Sequence, residues 1–260
     1  MQVDDTNRIT AFMEKPAADL NIDHWKIPEK SRGDLPADLE YLASMGIYIF
    51  NADTMEKLLD NEKTDFGKEI IPMAIKDHQV NSYIFNDYWE DIGTIRSFYE
   101  ATLDLTNPVP AFNMYEETKP VYTQMSNLPP SKINNATLTS TLASEGCVIT
   151  DSSIKKSVIG VRSIIREDCD LKGVVMMGAD FYETEEEKAA NKKKKIPDMG
   201  IGKGCKIERA IIDKNAHIGN NCCINVSGKK YDDGDHGLFY SAEGIIVIRK
   251  GAVIPDGTVI

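Results

Sequence analysis

Glu14 and Lys15 stand side by side at the end of residues 8–12, where apolar and polar side chains alternate. That alternation predicts a strand, and Pro16 ends it, so the strand delivers a carboxylate and an ammonium to one loop. A lysine is a compact charge suited to a phosphate, and a carboxylate accepts hydrogen bonds from sugar hydroxyls. The same two residues also read as a surface ion pair of small energetic weight. Asp91 lies in Trp89-Glu90-Asp91-Ile92-Gly93-Thr94. It reads either as a Mg²⁺ ligand, since that ion takes one or two carboxylates plus phosphate oxygens, or as a turn acid ahead of a helix capped by Thr94. His217 and His236 are the histidines of the later, periodic part of the chain. An acyl-transfer enzyme would use one as general base, but His217 precedes an inward Ile218 and is expected to point outward.

The elements that position these groups alternate. Residues 17–39 hold several Pro and Asp and read as a long surface loop, of the kind that often covers a site. Residues 45–50 are β-rich and suit a buried strand. Asn51 is placed to cap a helix with Met55, Leu58 and Leu59 on its apolar side. Residues 66–76 predict a second helix with Ile70, Ile71, Ala74 and Ile75 on one face. Residues 80–85 predict another strand. Thr94 is placed to cap a third helix, buried through Ile95, Phe98, Tyr99, Leu103 and Leu105. Strand and helix in alternation indicate an α/β domain over residues 1–107. An α/β sheet normally begins with a strand and a glycine-rich turn, and none precedes Lys15. Residues 108–131 carry Pro108, Pro110, Pro120, Pro129 and Pro130 and read as an extended linker.

From residue 132 to residue 260 the period changes to six. Ile159, Ile165, Leu171 and Met177 form one run; Ile201 and Ile207, then Ile212, Ile218 and Ile224, and finally Ile248, Ile254 and Ile260 form others. Four residues after several of these comes a small side chain: Ser163, Cys169, Cys205, Ala216, Cys222, Ala252, Thr258. Gly160, Gly202 and Gly219 directly follow the aliphatic residue. A hexapeptide repeat of this kind is the signature of a parallel β-helix, with the aliphatic residue inward and the small one near the corner. Residues 182–197 and 227–243 interrupt the period and are polar, so they read as solvated loops.

The formal net charge of −11 over 260 residues argues against a nucleic-acid or anionic-membrane surface as the main partner. No apolar run reaches the ~18 residues of a membrane span, and the acidic, polar start is unlike a signal peptide, so a cytoplasmic protein is expected. The five cysteines, Cys147, Cys169, Cys205, Cys222 and Cys223, contain no CxxC spacing. They predict neither a disulfide framework nor a zinc site, and three of them are explained as small buried fillers.

Several stretches together resemble, in order, glucose-1-phosphate adenylyltransferase (ADP-glucose pyrophosphorylase). They are Phe12-Met13-Glu14-Lys15-Pro16, residues 41–50, Asp65-Phe66-Gly67-Lys68-Glu69-Ile70-Ile71-Pro72, residues 88–94, Leu128-Pro129-Pro130-Ser131-Lys132, Met176-Met177-Gly178-Ala179-Asp180, and residues 211–216. The resemblance implies a Rossmann-like nucleotidyltransferase domain, here its carboxyl-terminal part, followed by a left-handed β-helix. It implies synthesis of ADP-glucose from ATP and α-D-glucose 1-phosphate with release of pyrophosphate, for glycogen or starch, with Mg²⁺. Glu14 and Lys15 would hold the glucose and phosphate of glucose 1-phosphate, Ser44 would touch the sugar, and Asp91 would be one of two Mg²⁺ ligands. Lys214 and Lys250 match lysines that bind the phosphate of an activator in some members, so a phosphorylated metabolite or phosphate effector is expected. Ser126 and Ala242 stand where related sequences often have arginine. A homo- or hetero-tetramer is implied, in the cytoplasm or, for a plant or alga, the plastid.

The family's glycine-rich ATP-binding loop and its catalytic aspartate do not occur in these residues. The expectation is an amino-terminally truncated member that retains the sugar-phosphate side, no assignable catalytic residue, and no activity alone. The alternative is a non-catalytic regulatory or oligomerisation module of the same enzyme.

Overall fold

The computed structural model describes residues 1–17, 19–32, 35–36, 38–226 and 228–260. Their contacts gather into two units, Met1–Asp87 and Tyr88–Ile260.

In the first unit, β1 (Gln2–Val3) and β2 (Ile9–Ala11) pair antiparallel. Asp4 sets the turn between them. Its Oδ1 accepts from the Thr6 hydroxyl at 2.7 Å, the Thr6 N–H at 2.8 Å and the Arg8 N–H at 3.1 Å. Those donors hold its carboxyl below the usual range. The loop of residues 17–39 contains a 3₁₀ turn, Asp23–Trp25, and a short helix, α1 (Glu29–Arg32); Ala18, Gly33, Asp34 and Ala37 lie outside the described residues. The helix α2 (Ala52–Leu59) follows Asn51, but the Asn51 side chain makes no capping bond. Leu58 is buried, while Met55 and Leu59 stay at the surface.

The expected second helix is two elements. Residues Phe66–Ile70 form a π turn, opened by Asp65, which accepts from the Lys68 N–H at 2.8 Å. It runs directly into α3 (Ile71–Asp77). Pro72 has no N–H to return to the turn before it, which fits a widened turn at that point. Ile70, Ile71 and Ala74 are buried, as the helical spacing predicts.

Two expected strands do not form. Residues 45–50 carry no ladder among the described residues, and in residues 80–85 only Asn81 bridges, to Arg8. The alternation itself is real. Tyr48 and Phe50 turn onto Phe66, with ring centroids 6.0 and 6.1 Å away, while Ile47 and Ile49 are 73% and 99% exposed. A strand is a pairing as well as a pattern, and here the pattern has no neighbour.

The second unit opens with α4 (Ile95–Asp104), whose first turn is closed by a reciprocal capping box between Thr94 and Ser97. Residues 108–131 follow without helix or strand. Then the chain coils. Thr137–Ala143, Ser153–Ile159, Asp170–Met176 and Lys206–Ile212 stack in parallel as one side, and Ile211 and Ile212 pair on with Val247 and Ile248. Lys132–Asn134, Val148–Thr150, Ile164–Ile165, Gly200–Ile201, His217–Ile218 and Val253–Ile254 stack in parallel as another. Ile149, Ile154, Ile159, Ile165, Leu171, Ile201, Ile207, Ile212, Ile218, Ile224, Ile248 and Ile254 are all at most 1% exposed inside the coil.

One inward assignment is corrected. Met176, not Met177, fills the core beside Ile159 and Ile212, and Met177 is at the surface. On the side of the coil that ends there the inward positions are five apart, Ile154 to Ile159 and Leu171 to Met176, so a strict period of six overshoots by one. Outside that side, Val158, Val175, Ile211 and Val247 line up, and α4 covers them with Tyr99 and Leu103. The Tyr99 hydroxyl donates to the Gly173 carbonyl at 2.7 Å, with the Arg209 guanidinium 5.8 Å from its ring centre.

The small corner residues have a specific function in the packing. Cys169, Cys205 and Cys222 are buried, and each thiol points at a carbonyl of the following coil: Gly202 at 3.0 Å, Gly219 at 3.1 Å, Pro255 at 3.3 Å. Gly202 sits where a β-carbon would come within 2.5 Å of the Gly219 backbone, so the corner admits no side chain. Asp168, Asn215 and Asn221 turn corners in the left-handed region at φ 60°, 61° and 56°, a conformation Asp and Asn tolerate best among residues with a β-carbon.

The first interruption is not a plain loop. It holds α5 (Glu185–Lys193), capped reciprocally by Thr184 and Glu187. Glu183, only 4% exposed at its side chain, ties the excursion together by accepting from Asn191 at 2.8 Å and the Met199 N–H at 2.5 Å. The second interruption makes a hairpin of Gly234–Asp235 and Tyr240–Ala242; Ser227 lies outside the described residues.

Candidate functional site

Glu14 and Lys15 leave β2 into a turn, as the strand-end argument predicts. Lys15 takes the left-handed region at φ 46°, an uncommon place for a residue with a β-carbon. Neither residue forms an ion pair among the described residues, so the surface-pair reading does not describe them. The Lys15 ammonium is exposed. The Glu14 carboxylate lies against Gly67, in space that a β-carbon at residue 67 would take. Its Oε2 is buried and has no hydrogen-bond partner. A buried unpaired acceptor costs roughly 1–3 kcal/mol, and a donor from a ligand would relieve it.

Beside Glu14, the Asp65 carboxyl is held below its ordinary range, first by the Lys68 N–H that it caps and then by the Lys68 charge. Ser44 is half-buried, its Oγ 3.1 Å from the Tyr48 hydroxyl and accepting from the Gly46 N–H at 3.2 Å. Tyr48 stacks on Phe66 at an interplanar angle of 17°, next to Gly67. Contacts through Tyr48, Phe66 and Gly67 therefore connect Ser44 to Glu14 within one unit. Asp65 and Gly67 are the residues that strand and motif reasoning left without a role. Their signal was the Asp-Phe-Gly-Lys run itself, in which glycine permits a close approach and aspartate caps the turn.

Asp91 belongs to the second unit and is exposed. Its Oδ1 accepts from the Gly93 N–H at 3.0 Å, and Thr94 is the helix cap. The described residues contain no group of three His, Cys, Asp or Glu side chains able to hold a metal. A single exposed carboxylate with a second oxygen to offer still fits Mg²⁺, an ion that completes its shell with water and substrate phosphates.

Lys214 and Lys250, 36 residues apart, are brought together by the stacking of coils. Both ammonium groups bind Asp180, Lys214 Nζ at 2.9 Å from Oδ1 and Lys250 Nζ at 3.0 Å from Oδ2. Asn215 Nδ2 adds a bond to Oδ2 at 3.0 Å. The Lys214 ammonium first, then Lys250 and Asn215, hold the Asp180 carboxyl far below the usual carboxylate range. Ser126 is exposed and Ala242 lies in the hairpin of the second interruption.

The histidines do not form a catalytic base. His217 leaves the core as expected but does not reach solvent freely. The first interruption covers it to 13% exposure, its Nδ1 lies 2.7 Å from the Pro197 carbonyl, and Glu183 is 4.0 Å away. His236 stacks on Phe239 and approaches the Asp232 carbonyl at 2.9 Å.

Two family models match the chain. Residues 1–108 match the model described as nucleotidyl transferase. Residues 126–259, more than half of the chain, match the GLGC left-handed parallel β-helix domain. The parallel coils of residues 132–260 agree with the second of these descriptions. The chain belongs to the family of the GLGC left-handed parallel β-helix domain, joined to a nucleotidyl transferase domain.

Proposed function

We propose that the chain serves a sugar-phosphate nucleotidyltransferase whose substrates are α-D-glucose 1-phosphate and ATP, that is, glucose-1-phosphate adenylyltransferase. The observation that carries this reading is the Glu14–Lys15 pair: a buried carboxylate oxygen lacking a donor, next to an exposed ammonium lacking a carboxylate. A sugar phosphate supplies both missing partners, hydroxyl to Glu14 and phosphate to Lys15. In this reading Ser44, joined to Glu14 through the same contacts, meets the sugar. Mg²⁺, held from this chain by Asp91, would neutralise phosphate charge when bound. Nucleotidyl transfer requires little covalent help, so the task of these residues is to position the sugar phosphate. In this reading Lys214 and Lys250 receive an anionic effector, the assembly is a tetramer, and the product ADP-glucose feeds glycogen or starch synthesis.

Calorimetric titration of the protein with glucose 1-phosphate, inorganic phosphate and glucose tests the substrate assignment. Lys15→Ala should weaken glucose 1-phosphate and inorganic phosphate alike, by roughly ten- to a hundredfold, the range for a charge-assisted bond. Glu14→Gln should weaken glucose 1-phosphate and leave inorganic phosphate unchanged. Equal glucose 1-phosphate affinity in both variants and the parent protein would sink the assignment. Pyrophosphate release from ATP plus glucose 1-phosphate is expected to be absent from these 260 residues alone, and turnover like that of an intact adenylyltransferase would contradict that part.

A further inference from the structure

We propose that Asp180 is a built-in counter-anion: its carboxylate occupies the phosphoryl position between Lys214 and Lys250, and an anionic ligand binds by displacing it. The proposal rests on the reading of those lysines as an anion site.

The geometry is that of a filled anion cradle. Two ammonium groups and one amide donor converge on the two oxygens of a single carboxylate, at 2.9–3.0 Å. The donors come from successive coils. The Gly251 N–H donates to the Lys214 carbonyl at 2.9 Å, and the Asn215 N–H to the Gly178 carbonyl at 3.2 Å, so the three corners are stacked in register. Neighbouring coils of a sheet lie about 4.8 Å apart, a spacing at which two lysines can grip one tetrahedral anion. Arg162 stands on the same edge, its Nη1 donating to the Ala179 carbonyl at 3.3 Å, and forms no ion pair among the described residues. The edge therefore has three cations, two of them on Asp180, while the neighbouring Asp213 carboxylate accepts from the Lys214 N–H at 2.7 Å.

The carboxylate can leave without unfolding the coil. Its own backbone is held separately, the Asp180 N–H by Asn215 Oδ1 at 2.8 Å and the Ala179 N–H by the Val161 carbonyl at 2.8 Å. The Asp180, Lys214 and Lys250 side chains are 37%, 39% and 58% exposed, so solvent already reaches the cradle. A phosphate and the carboxylate cannot share it, because like charges at hydrogen-bonding distance repel. Binding then measures the difference between two anions, and a phosphoryl group, with more charge and three acceptor oxygens, wins only above a threshold concentration.

The test titrates inorganic phosphate and, separately, glycerol 3-phosphate into the parent protein and into Asp180→Asn, Lys214→Gln and Lys250→Gln. Asp180→Asn should bind about tenfold tighter, since two exposed ion pairs together are worth about that factor. Either lysine variant should bind more weakly. A gain in both ligand arms supports displacement, and the arm with the higher affinity shows whether free phosphate or a phosphorylated metabolite is the ligand. In the unaltered protein, added phosphate should also move the carboxyl ¹³C resonance of Asp180, a readout independent of how the variant folds. Weak binding in the lysine variants with no gain in Asp180→Asn and no resonance shift overturns displacement alone. Binding indifferent to both lysines overturns the anion-site reading beneath it, and no binding to the parent or to Asp180→Asn overturns both.

Discussion

Gly67 is a residue whose replacement separates binding from folding. An alanine there would meet only the far end of the Glu14 side chain, which can swing away. Gly67→Ala should therefore fold with little loss of stability and yet lose glucose 1-phosphate affinity, as calorimetry beside a thermal melt would show. Asp180 makes a prediction about acid. Its folded carboxyl titrates far below its unfolded value, so the stability it contributes is complete above the unfolded value of about 4 and is lost as pH falls below that. The melting-temperature difference between parent and Asp180→Asn should be flat from pH 5 to 8 and shrink only in stronger acid. Neither residue's role was legible locally. Gly67 and Glu14 are separated by a helix and a loop, and Asp180 meets Lys214 and Lys250 only because coils stack. The place of Glu14 and Lys15 at a strand end, and of Thr94 as a helix cap, was legible, because both are local patterns.

Among the elements, α4 ties its cap to the face that it covers. Thr94→Ala removes the acceptor for the Ser97 N–H at 3.0 Å and should cost about 1 kcal/mol by denaturant unfolding, with Ser97→Ala adding little on top because the box is shared. Gly202→Ala should cost roughly 1–3 kcal/mol, because a β-carbon would press into the backbone of the next coil with no flexible side chain to yield. The misplaced Met177 has the same origin as α4's docking site. Residues 174–177 are four apolar side chains in a row, since this side of the coil is covered within and without, and a two-sided strand shows no alternation from which to read its frame. The helix α5 was missed for the opposite reason. Its run of Glu and Lys has no apolar stripe, and its stability comes from the Thr184–Glu187 box and the buried Glu183, neither of which has a period.

At the scale of the molecule, the two units differ in how their backbones are satisfied. The coil's amides bond from strand to strand along its length. In the first unit, the ladder is β1 with β2, and residues 45–50 carry none. Hydrogen exchange should find residues 148–176 and 200–224 the most protected and residues 43–50 and 83–87 among the fastest. Equal protection in both would contradict that. The β-helix was legible because its repeat writes the same side chain to the same corner, turn after turn. The strands of the first unit were only half legible, since a sequence shows which face a strand would bury but not whether another strand lies beside it.

The thiols at the coil's corners turn this difference into a chemical clock. Cys147, Cys169, Cys205 and Cys222 are enclosed, and burial pushes the Cys147 thiol up from its ordinary value, whereas Cys223 is partly open to solvent. An alkylating reagent should therefore take one thiol at once and the other four only as individual coils come apart. The order in which their masses shift would report where along its length the solenoid frays first.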